Sequence, residues 1–169
     1  MPVTDVRKDP DALTLTVTAR FEAPPARVWQ VWEDPRRLER WWGPPSHPAT
    51  VLDHDLRPGG VVTYHMTGPD GDKYPGWWRI SAVEAPHRLE FEDGFGAEPG
   101  LVTAELPSTL SVVRLVEDGA CTIMTIESRF ASPEALRTVL AMGMEEGLRQ
   151  ALGQVDALLA PDPAGPWSR

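Results

Sequence analysis

Residues 132–159, SPEALRTVLAMGMEEGLRQALGQVDALL, read as one long amphipathic helix. Ser132-Pro133-Glu134 is a start signal: a hydroxyl to cap the first turn, then a proline whose fixed φ suits it. Leu136, Leu140, Met144, Leu148, Ala151, Val155 and Leu158 recur at helical spacing and form a single apolar stripe, with Glu145, Glu146, Arg149 and Gln150 expected on the opposite side. Pro161 ends the run. Gly143 and Gly147 lie beside the stripe, each costing about 1 kcal/mol of helix propensity relative to alanine. A helix retains such residues where a sheet backbone or a ligand must come close.

A stripe of this length needs a partner layer, and the preceding residues supply strands. Leu13 to Phe21 alternates apolar and polar residues without a break, with Leu13, Leu15, Val17, Ala19 and Phe21 on one face. Two short helices follow, one opening at Pro24-Pro25 and carrying Val28, Val31 and Trp32, the other from Pro35 to Arg40. Trp41-Trp42-Gly43-Pro44-Pro45 stops the second. The chain then reads as a meander: Val51–Leu56, Val62–Met66, Trp77–Val83, Arg88–Glu92, Thr109–Val116 and Thr122–Phe130, separated by Gly/Pro turns. Asp93 to Pro107 reads as a long loop, of the kind that is functional or mobile in compact domains, and is expected to flank a cavity mouth with Leu101 or Val102 over the opening. The pattern predicts an α+β domain over residues 1–160: a curved antiparallel sheet around the C-terminal helix, two short helices between the first two strands, and a flexible tail at 161–169.

Composition narrows the function classes. A chain of 169 residues with 41% apolar positions suits one domain with a real core. The formal net charge of −9 repels phosphate backbones and anionic lipid, so neither nucleic acid nor membrane insertion is expected. Cys121 is alone, which excludes an intrachain disulfide and a cysteine-rich metal site. The start of the chain lacks a secretory h-region and no apolar run spans a bilayer, so a cytoplasmic location is expected. His47, His65 and His87 lie apart with no metal-ligand spacing, and no nucleotide or hydrolase motif is present, so no metal or cofactor is expected.

Several segments together carry a resemblance: Pro24 to Trp32 with Trp41-Trp42-Gly43-Pro44; Asp55-Leu56-Arg57-Pro58-Gly59-Gly60; Gly68-Pro69-Asp70-Gly71 followed by Gly76-Trp77-Trp78; Pro86-His87-Arg88-Leu89-Glu90-Phe91; and Gly143 to Leu148. In this order, over roughly residues 12 to 160, the chain resembles the START-like, birch-pollen-allergen (SRPBCC) superfamily. Within it the chain is similar to the homologues of the activator of the 90-kDa heat-shock-protein ATPase. The resemblance implies a helix-grip fold with a deep cavity between sheet and helix, which relatives use for lipids, hormones and polyketides.

Strand parity then gives the candidate wall: Tyr64, Met66, Trp78, Phe91, Met124 and Ile126, opposite Leu140, Met144 and Leu148, with Trp42 as a cap. His54 shares parity with Leu52 and Leu56 and is expected to point inward near Tyr64 if Leu52 does; the opposite phase would place Val51, Asp53 and Asp55 inside, at the cost of burying two carboxylates. The expected function is binding of an apolar or aromatic small molecule. One alternative is a polyketide cyclase or aromatase in which His54 and Tyr64 polarise a carbonyl and move a proton. Another is a chaperone-interacting module working through its surface, which the residues themselves do not indicate. Oligomeric state is left open.

Overall fold

Thr14–Phe21 alternates buried and less buried residues, as period-two patterning requires, and pairs antiparallel along its whole length with Cys121–Phe130. This pairing joins the two ends of the chain. The computed structural model describes residues 2–103 and 105–159. Strands are β1 (Val3–Asp9), β2 (Thr14–Phe21), β3 (Ala49–His54), β4 (Val61–Thr67), β5 (Lys73–Glu84), β6 (Arg88–Phe95), β7 (Thr109–Asp118) and β8 (Cys121–Phe130). Helices are α1 (Pro25–Glu33), α2 (Pro35–Leu38), α3 (Pro133–Ala141), α4 (Met144–Gly153) and α5 (Val155–Leu159). The strands form one antiparallel sheet in the order β1-β2-β8-β7-β6-β5-β4-β3. The expected helix-grip α+β architecture is what the chain adopts.

Three differences of detail have physical causes. First, β1 precedes the strand expected to be first, so the short helices lie between β2 and β3. Its sequence VTDVRKD is largely charged and exposed, suited to an edge strand and giving almost no hydrophobic alternation. Secondly, the C-terminal helix is broken. Gly143 takes the left-handed conformation at φ +87°, ending α3 and restarting α4 with a new phase. Glu145 therefore pairs with Lys8 of β1 at 2.8 Å, while Ala151, Leu152 and Val155 carry the buried face. Thirdly, the long loop is shorter, because Asp93–Phe95 extend β6 against β5. The residues given as a flexible tail, 161–169, lie outside the described residues.

The core is dominated by aromatic rings. Trp32 sits edge-on to Trp41 at 4.8 Å and tilted against Trp78 at 5.8 Å, and Trp78 stacks on Phe91 at 4.3 Å. Two indoles within this block find partners: Trp41 donates to the Val31 carbonyl at 2.9 Å, and Trp32 to the Met124 sulfur at 3.4 Å. This packed block fills one end of the space enclosed by the sheet and leaves the other end open.

Candidate functional site

The open end is a cavity of about 540 Å³ between the sheet and the α3–α4 break. From the sheet come Tyr64 and Met66 of β4, Asp93 and Phe95 of β6, and Thr109 of β7. Helical residues across from them include Val139, Met144, Gly147, Leu148 and Ala151. Trp42, Pro44, Ser46 and His47, following α2, close one side. Gly147 borders this open space: a Cβ built there meets nothing within 4 Å. The glycine is not needed for close approach of the sheet, so helix propensity is given up beside empty volume.

Of the residues expected on the wall, Trp42, Tyr64, Met66, Met144 and Leu148 line the cavity. Trp78, Phe91, Met124 and Ile126 point inward but belong to the packed block, and Trp78, Phe91 and Met124 are essentially inaccessible. Leu140 packs against the core from α3, off the cavity wall. Parity identifies the inner face of a strand, but not how far along the strand the packed block ends.

His54 also lies off the cavity wall. A β-bulge between Val51 and Asp53 breaks the parity that linked it to Leu52, which is 61% exposed. His54 sits opposite Val62, with Nε2 3.0 Å from the Trp32 carbonyl. It secures the end of α1 and is absent from the lining that contains Tyr64. Leu101 and Val102 are exposed and do not cover the opening; Ala97 and Pro99 lie instead against a second hollow beside Leu52 and His65.

Asp93 is the residue that sequence reading missed. Leu89, Phe91 and Asp93 share one parity, but the glycines that follow make the segment from Asp93 read as a loop. The Tyr64 hydroxyl donates to Asp93 Oδ1 at 3.4 Å, a long contact. Burial pushes the Asp93 carboxyl up from 3.8 to about 7, and the tyrosine hydrogen bond opposes the shift only in part. Burial and the neighbouring carboxylate drive the Tyr64 phenol well above its ordinary value, so it stays a neutral donor. Tyr64 can lie flat here because Gly76 is opposite it; a Cβ at Gly76 would stand 2.5 Å from the ring. The indole Nε1 atoms of Trp42 and Trp78 are buried without hydrogen-bond partners, and both favour negative charge on the Tyr64 oxygen. Among the described residues no cluster of three or more His, Cys, Asp or Glu is placed to hold a metal ion.

An antiparallel grip around a broken C-terminal helix, with an apolar cavity that has one polar corner, defines a START-like protein. Residues 22–160 match the family model described as activator of Hsp90 ATPase homolog 1-like protein, and the chain belongs to that family. The protein Ms6760 of Mycobacterium smegmatis is 55% identical over 95% of this chain and 99% of its own, with a TM-score of 0.86. A protein of Arthrobacter aurescens is 48% identical over 99% of this chain and 98% of its own, with a TM-score of 0.89. A putative protein in the dynemicin biosynthetic locus shares the fold at 19% identity, covering 87% of this chain and 47% of its own, with a TM-score of 0.62. No curated protein matches the chain. No helix among the described residues is long and apolar enough to cross a membrane.

Proposed function

We propose that this protein binds an apolar or aromatic small molecule in the cavity between β4, β6 and α4. The observation that carries the reading is the open volume of about 540 Å³ beside Gly147, walled by Trp42, Tyr64, Met66, Phe95, Met144 and Leu148. Aromatic and thioether walls adapt to a partly planar ligand, and a few polar groups orient it. A surface-acting chaperone module gives no reason for this space. The histidine that the cyclase reading relies on is not in the cavity wall: His54 is engaged with the Trp32 carbonyl. The fold shared with a protein of the dynemicin locus agrees with a natural-product ligand without adding to the argument. The acidic surface and single cysteine accord with a cytoplasmic setting.

Binding is tested with an environment-sensitive hydrophobic dye and with thermal unfolding. A ligand at about 100 times its dissociation constant adds roughly 2.7 kcal/mol of stability. Gly147→Trp fills the open volume and is expected to lower dye affinity at least about tenfold, with the melting temperature kept within a few degrees. Equal dye binding by wild type and Gly147→Trp would remove the cavity from the account.

A further inference from the structure

The charge on the cavity wall is one-sided. Its ionisable lining residues are Asp93, Glu146, Tyr64 and His47, and among the described residues no Lys or Arg lines it. Asp93 and Tyr64 are at the inner corner; Glu146 of α4 approaches from the helical side and His47 from the segment after α2. The groups bearing on Asp93 are few. β4 contributes the Tyr64 hydroxyl at 3.4 Å, β5 places Trp78 opposite it in register, and β7 places uncharged Thr109 opposite it on the other side. A salt bridge pairs Arg79 on the outer face with Glu92, not Asp93. A carboxylate facing an apolar cavity with one long hydrogen bond is under-solvated, and a cation would supply what it lacks. Trp42, Tyr64 and Phe95 add aromatic faces and edges suited to an ammonium group.

We propose that the cavity selects an apolar ligand carrying a protonated amine, which Asp93 receives at the inner corner while the Met66–Met144 side holds the apolar body. This rests on the cavity-binding reading and adds the chemical class of the ligand. A charge-assisted hydrogen bond to a half-buried carboxylate favours the amine over an isosteric alcohol by about 10- to 100-fold. Proton and amine compete for the same oxygens. The preference is therefore full above the Asp93 titration near pH 7 and shrinks below it.

The test uses three probes of one shape, 2-(2-naphthyl)ethylamine, 2-(2-naphthyl)ethanol and 2-naphthylacetic acid, titrated calorimetrically into the full chain at pH 5.5 and pH 8. The amine is expected to bind tightest at pH 8, the acid weakest, and the amine's lead over the alcohol to narrow at pH 5.5. Asp93→Asn should erase that lead, whereas Glu134→Gln, an exposed position on α3 off the cavity wall, keeps it. The pH series on wild type stands even if Asp93→Asn fails to fold. Alcohol binding as tightly as amine at pH 8, or an amine lead that survives Asp93→Asn, would overturn the proposal and leave cavity binding intact. Tighter alcohol binding at pH 5.5 than at pH 8 would identify Asp93 as a neutral donor to a ligand oxygen instead. Failure of all three to bind would remove the cavity reading and this proposal with it.

Discussion

Asp93 is half-buried beside the cavity, and the upward shift of its carboxyl makes the charged form a cost to the fold. The folded carboxyl titrates near 7 against 3.8 when exposed, so between these values the folded state holds a proton that the unfolded state releases. Stability is therefore greatest below about pH 4 for this group, falls as pH rises to 7, and is flat above. The full difference is on the order of 2–4 kcal/mol. Asp93→Asn is expected to melt higher than wild type at pH 8 and to converge with it near pH 4–5, followed by circular dichroism. A wild-type melting temperature indifferent to pH between 5 and 8, with no gain in the variant, would show that the carboxyl is well solvated. A group that costs stability beside an open cavity is a mark of a binding site. Parity with Leu89 and Phe91 made Asp93 legible; the reading of its neighbourhood as Gly-rich loop hid it. His54 does share the inner face, opposite Val62, because the bulge reverses the parity that Leu52 implied; it lies off the cavity because it sits at the packed end, against the Trp32 carbonyl.

Among the elements, α4 divides the molecule into packed and open halves. Leu152 is fully buried, whereas Leu148, one turn earlier, is partly buried and faces the cavity. Leu152→Ala is expected to cost about 2–5 kcal/mol in denaturant unfolding, and Leu148→Ala distinctly less, because its methyls border space that is already empty. Equal costs would mean that the cavity is closed in solution. The stripe in residues 132–159 made the helix and its partner sheet legible. It did not reveal that Gly143 resets the phase, so Glu146 and Gln150, expected to face solvent, are exposed as expected but also reach the cavity rim. The charged strand β1 was illegible for a related reason: an edge strand is specified by backbone pairing, and backbone pairing leaves little hydrophobic pattern.

For the whole molecule, the aromatic block and the cavity are two uses of one enclosed space. Trp32, Trp41, Trp78 and Phe91 fill the part nearest α1 and α2, while the part beneath α4 is left to Tyr64, Asp93 and the flexible methionines. Three methionines, Met66, Met142 and Met144, line the cavity, Met142 at the helix break, whereas Met124 is locked in the block against Trp32. Their methyl groups provide the most direct test that the space is a binding site. In a methyl-resolved NMR titration with 2-(2-naphthyl)ethylamine at pH 8, Met66, Met142 and Met144 should shift together and saturate at one equivalent, with Met124 nearly unmoved. Unchanged Met66 and Met144 resonances, or shifts that never saturate, would contradict the account.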